Sequence, residues 1–198
     1  MNSERTENRP DTRQHILDCG QQLIAAKGFV GVGLAEILSA AEVPKGSFYH
    51  YFASKEAFGA ALLDAYFDAY MARLTTLSAH PGLTGAQRLL TYFERWIETQ
   101  QGKDAAQYCL IVKLAAEVAD LSDSMRHSML AGTERILRQL ADYVSAGQAD
   151  GSIGNPHPAE ELAQWLYEAW LGASLLAKLR RDRSSFEAAM TRTRELLN

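Results

Sequence analysis

A chain of 198 residues with 47% hydrophobic and 22% charged residues carries enough apolar side chain to bury a core, which excludes a wholly disordered polypeptide. No apolar run approaches the roughly 18–20 residues of a membrane span, and the polar start Met1-Asn2-Ser3-Glu4-Arg5 leads into no apolar secretory segment, so a cytoplasmic location without a membrane partner is expected. The net charge of −4 argues against a general polyanion binder but leaves room for a localised basic face.

Helical periodicity runs through the chain and strand signals are nearly absent. Residues 1–10 are polar, end in Arg9-Pro10, and read as a flexible arm. Asp11, with Gln14 three positions on, resembles a capping box that opens a helix with Ile16, Leu17, Leu23 and Ile24 on its apolar stripe and Gly28 as its stop. A short helix over 34–41 turns Leu34, Ile37 and Leu38 inward. After only Glu42-Val43, another runs from Pro44 to about His50. Ser54 caps a long helix reaching about Ala79, and His80-Pro81-Gly82 breaks it. Helices are then expected over 84–101, 106–120, 122–147, 158–181 and 184–197, with Asp150-Gly151-Ser152-Ile153-Gly154-Asn155-Pro156 as the strongest loop signal. The expectation is an all-α fold of about nine helices. Three domains follow: the arm 1–10, a helix-turn-helix unit 11–55, and a helical sensing and dimerisation unit 56–198.

Two short helices joined by a tight turn suit insertion of the second into a DNA major groove. Bulk charge does not announce this, since the first 56 residues hold six Lys and Arg against seven Asp and Glu. Placement is more informative. In the segment Pro44-Lys45-Gly46-Ser47-Phe48-Tyr49-His50-Tyr51-Phe52, the pair Phe48 and Phe52 is spaced to pack on a core, which leaves Lys45, Ser47, Tyr49 and His50 for other faces. Gly46 permits close approach, and Lys45 and Lys55 bracket the segment with charge that phosphates neutralise.

The stretch Ile16-Leu17, Gly28-Phe29, Ile37 and Ala41 through Phe52, followed by Ser54-Lys55-Glu56, closely resembles the DNA-binding domain of the TetR family. The resemblance implies that Lys45–Tyr51 is the recognition helix and that Tyr49 and Lys55 touch phosphates. It also implies double-stranded palindromic operator DNA as partner, a small-molecule effector, and a homodimer. Where the family often carries hydroxyl residues at the start of the second helix, this chain has Val32-Gly33. Gly33 has no side chain to offer, so any phosphate contact there falls to backbone amides.

Cys19 and Cys109 lie far apart without CxxC or His companions, so neither a zinc site nor any other metal or cofactor is expected. Cys19 reads as packing. Cys109 is placed in the first turn of a helix, where the thiol pKa falls, with Lys113 one turn on and Lys178 in an apolar run elsewhere. Stretches 109–122 and 170–178 extend the resemblance beyond the DNA-binding part, to an electrophile-sensing branch of the family. They imply that Cys109 captures a reactive electrophile or oxidant, with Lys178 and Lys113 as partners.

The aromatics Tyr92, Phe93, Trp96, Tyr108, Trp165, Tyr167 and Trp170 are either core or lining of a ligand cavity. His127, His157 and the Arg180–Arg183 stretch read as solvated. The apolar 162–179 segment is too apolar for one outer face; the resemblance implies that it pairs with a second copy through Trp165, Trp170, Leu171, Gly172 and Leu175, and helix four becomes the lever between effector and DNA. Two alternatives stay open: the same kind of repressor with a noncovalent ligand, and a thiol-dependent detoxifying enzyme. The latter lacks a local Cys-His-Asp constellation or a phosphate-cradling glycine loop, so no enzyme is expected.

Overall fold

A computed structural model describes residues 12–78, 82–101 and 110–198. Among these the secondary structure is entirely helical, with nine α-helices and no strand. Helix α1 (Thr12–Lys27) buries Ile16, Leu17, Ile24 and Ala25, and ends where Gly28 takes φ +83° and its N–H donates to the Ile24 carbonyl at 2.8 Å. Asp11 of the expected capping box lies outside the described residues, and the Gln14 amide instead donates to Asp18, one turn on.

Helix α2 (Leu34–Ala40) and α3 (Lys45–Tyr51) form the expected tight pair. Pro44 is the cap of α3 rather than a residue of its first turn, because its extended backbone (ψ 152°) lies outside the helical range. The two short helices hold together through aromatic packing. Phe48 is fully buried, and its ring lies 5.2 Å from Phe52 and 5.5 Å from Phe58 of the next helix. That helix, α4 (Lys55–Ser78), is capped by the Ser54 hydroxyl, which accepts from the Ala57 N–H at 3.1 Å.

Helix α4 packs chiefly on α7 (Asp123–Asp150), the longest helix and the centre of the larger unit. At their crossing the Phe67 ring lies directly on the backbone of Gly132, with no space for a Cβ. Helix α7 runs three residues beyond the expected end. Gly147 is an interior crossing point beneath Ile153, and the true stop is Gly151 at φ +76°. Helix α5 (Gly85–Gln101) opens on a reciprocal cap, in which Thr84 N–H donates to Gln87 Oε1 and Gln87 N–H to Thr84 Oγ1. Asp150, the last residue of α7, and Ser152, just past it, accept from Gly85 N and Ala86 N and fix that start against the bundle.

Helices α6 (Leu110–Leu121) and α8 (Ala159–Arg180) pack on α7, and α9 (Ser184–Leu197) lies against α8 and α5 to complete the bundle. Inside it Trp170 stacks on Phe93 at 4.4 Å and donates Nε1–H to Thr193 Oγ1, while Trp96 donates to the buried Ser174 hydroxyl. Both indole N–H groups thus find partners, as buried polar groups require. No helix among the described residues is long and apolar enough to cross a membrane.

Candidate functional site

The α2–α3 unit presents one outward face. With Phe48 buried beneath it, α3 turns Lys45, Gly46, Tyr49, His50 and Tyr51 outward, and leaves Ser47 half-buried. Tyr49 is 49% exposed and carries the Lys45 ammonium 5.7 Å from its ring centre. Nothing lies within 4 Å of where a Cβ on Gly46 would stand, so a groove wall can approach the backbone there. Gly33 caps α2 in extended conformation (φ −81°, ψ 153°) without a side-chain bond, and the space around it is equally open.

Lys55 stands apart from this face. Its ammonium donates to the Phe29 carbonyl at 2.8 Å and lies 4.4 Å from the Phe29 ring centre. The charge expected beside phosphates is therefore engaged at the α1–α2 turn.

Where the head meets the larger unit, a cavity of about 510 Å³ opens between the ends of α1 and α5, the start of α6, the end of α8 and the start of α9. Among the described residues, Lys113, Lys178, Arg181 and Arg183 line it together with Gln100 and one acid, Asp182, over an apolar floor of Val112, Ala177 and Phe186. The structure thus brings the expected pair Lys113 and Lys178 to one cavity. Partial burial, and then the charge of Lys113, hold the Lys178 ammonium below the ordinary lysine pKa. Cys109 and Tyr108 lie outside the described residues, and α6 is described from Leu110 onward. Among the described residues no group of His, Cys, Asp and Glu is arranged to hold a metal.

Cys19 is half-buried between His15 and α2, and its thiol donates to the Ala40 carbonyl at 3.5 Å. Burial, together with the negative charges of Asp18 and Glu42, pushes its pKa up, which disfavours the thiolate relative to a free cysteine.

Two expectations for α8 change. Trp170 belongs to the interior of the protomer, with no exposed surface, because its ring is enclosed by Phe93, Trp96 and Phe186; it has no face to offer a second copy. Leu171 is half-buried against the same core. The outward stripe is instead Trp165, Gly172, Leu175, Leu176 and Leu179, the last 79% exposed. Tyr92, Phe93, Trp96 and Tyr167 are core residues and do not line the cavity.

Sequence reasoning passed over two residues. Glu117 of α6 reaches back to the α1–α2 turn, where Oε2 accepts from Phe29 N–H at 3.1 Å and Oε1 from Val30 N–H at 2.5 Å. An acid 87 positions away in an amphipathic helix gives no local signal of such a contact. Glu42, in the helix-turn-helix turn, takes φ +53°, where glycine is favoured. A turn of two residues between helices was the available clue.

Comparison with known proteins accounts for both halves. Residues 16–62 match the model for bacterial regulatory proteins of the tetR family, and residues 85–193 match the tetracyclin repressor-like C-terminal domain. The chain is 40% identical over 187 residues to the HTH-type transcriptional repressor NemR of Escherichia coli, covering 94% of each chain. It is 34% identical over 183 residues to the HTH-type transcriptional repressor DhaR of a Mycobacterium species, covering 92% of this chain and 90% of that one. The crystal structure of the reduced form of E. coli NemR superposes with a TM-score of 0.90 over 96% of this chain and 98% of that one. A helix-turn-helix head on an all-helical body, matched over nearly the whole length, makes this chain a member of the TetR family of bacterial transcriptional regulators.

Proposed function

We propose that the protein is a homodimeric repressor that binds a palindromic operator through α3 and leaves it when a small reactive electrophile is captured at Cys109. The observation that carries the reading is the division of α3: Phe48 anchors one side in the core, while Lys45, Gly46, Tyr49 and His50 are left on an open face. On that face Lys45 and Tyr49 reach phosphates, and His50 and Ser47 reach base edges or the backbone. The repressor role draws on NemR and DhaR, both named as HTH-type repressors.

Capture proceeds by conjugate addition. The Cys109 thiolate forms a carbon–sulfur bond at an activated C=C, the π bond breaks, and the resulting carbanion takes a proton from solvent. The cationic cavity beside α6 supports the reading, because Lys113 and Lys178 favour a thiolate placed near them.

Operator release is read by fluorescence anisotropy of labelled DNA from upstream of the protein's own gene. N-ethylmaleimide is expected to weaken binding by about tenfold or more, within the usual range of allosteric coupling. Cys109→Ser is expected to bind DNA normally and to ignore the reagent. Unchanged release in that variant overturns covalent sensing, and failure to bind DNA at low salt overturns the repressor assignment.

The cavity itself favours a second reading, in which a noncovalent ligand sits among the lysines and arginines. Release by a nonreactive anionic compound in the Cys109→Ser protein selects that reading.

A further inference from the structure

Helix α6 holds the DNA-reading head by a two-point grip on the end of α1. Lys113 Nζ donates to the Ala26 carbonyl at 3.3 Å, in the last turn of α1. One turn further along α6, the Glu117 carboxylate accepts from the Phe29 and Val30 N–H groups just past that end. A cation thus meets the carbonyl end of α1, and an anion accepts charge-assisted hydrogen bonds from two amides of the turn beyond it. Gly28 makes the approach possible, since a Cβ there would stand 3.1 Å from Glu117 Oε2 on a backbone already at φ +83°. From the other side, Lys55 at the start of α4 donates to the Phe29 carbonyl. The single residue Phe29 is therefore held by α6 through its N–H and by α4 through its C=O.

We propose that Glu117 is the positioning residue through which the sensing half sets the angle of the DNA-reading head. The proposal rests on the reading that events at the cavity govern operator affinity. Lys113 lines that cavity, and Glu117 follows it by one turn on the same rigid helix. A shift or rotation of the start of α6 moves the carboxylate with it, and the α1–α2 turn follows. This route bypasses the length of α4.

The test uses Glu117→Gln, which keeps the shape but turns an amide NH₂ toward one of the two N–H donors, and Glu117→Asp, which retracts the carboxylate by one methylene. Two readouts are taken on the full chain: amide hydrogen exchange at Phe29 and Val30, and the ratio of operator affinities before and after N-ethylmaleimide. Exchange at both amides is expected to accelerate about tenfold in the Gln variant, as loss of charge-assisted bonds implies. The release ratio is expected to fall about fivefold or more toward unity, with Asp between Gln and wild type. A merely structural contact would lower thermal stability and leave the ratio unchanged, and a wild-type ratio in both variants overturns the proposal. Should Gln fail to fold, the Asp variant decides by the same two readouts. If the wild-type protein itself is not released by N-ethylmaleimide, electrophile sensing fails on its own; the grip is then judged by exchange and untreated operator affinity. Unchanged values there overturn it, and faster exchange with altered affinity upholds it.

Discussion

Glu42 occupies a backbone conformation that costs a residue with a Cβ about 1 kcal/mol relative to glycine. The turn keeps it because Val43 N–H must reach the Leu38 carbonyl, at 3.1 Å, for α3 to start at the right angle. Glu42→Gly is expected to raise Tm by about 2–4 °C, less whatever the freer unfolded glycine takes back. The same change removes a negative charge next to the recognition helix, so tighter operator binding is expected alongside the calorimetric shift. Cys19 tests the opposite kind of environment. Its thiol pKa is raised by burial first and by Asp18 and Glu42 next. The thiolate fraction at neutral pH is therefore below that of free cysteine, and alkylation in a Cys109→Ser background is expected to rise only at higher pH than for a free thiol. A rate profile matching free cysteine would show that the shielding seen around this thiol is absent in solution.

At the scale of the helix, neither member of the DNA-reading pair has a side-chain cap at its start, and at α2 the capping position is a glycine. Gly33 accepts from Glu36 and Ile37 N–H through its carbonyl but offers no side chain to the amides of the first turn. Its φ of −81° suits any residue, and the space around it is open. Gly33→Ser is expected to stabilise the head by a few tenths of a kcal/mol through the cap. Operator affinity should rise by about threefold if the hydroxyl also meets a phosphate, as a single added hydrogen bond contributes about 1 kcal/mol or less. Chemical denaturation and DNA titration read the two effects separately.

The helices themselves were legible because their signals are local. Apolar stripes, Ser54, Gly28 and the Gly151 loop each fix an end through nearby backbone. Gly147 misled because a helix-interior glycine and a helix stop look alike in sequence; only the packing of α5 and Ile153 against it tells them apart. The family motif from Lys45 to Lys55 was equally legible. The inward turn of Lys55 and the grip of Glu117 were not, since both depend on which distant segments the fold brings together. Trp170 shows the same limit: the apolar run 162–179 holds a buried side and an exposed side, and composition alone did not assign the tryptophan to the first.

For the molecule as a whole, the outstanding surface feature is the α8 stripe of Leu175, Leu176 and Leu179, each from 45 to 79% exposed, with Trp165 one end and Gly172 between. In the homodimer proposed above, this stripe is the surface that a second copy covers. A leucine fully covered by a partner contributes about 1.5–3 kcal/mol. The double variant Leu175→Glu and Leu179→Glu is therefore expected to sediment as a monomer at micromolar concentration while keeping its helical content. Operator affinity should then fall by about a hundredfold or more, because the two reading heads of such a regulator are spaced by the dimer. A variant that remains dimeric would place the interface elsewhere.

The contact between Glu117 and the α1–α2 turn also bears on how the chain is made. The head precedes the helical body in the chain and its core contacts are short in range, so it can assemble before the body is translated. The two amides at Phe29 and Val30 must wait for an acceptor 87 or 88 positions later. At about 5–20 residues per second that interval is roughly 4–18 s, long beside the folding time of a small helical unit. A head that folds within this interval is formed before Glu117 can fasten it to the helical body.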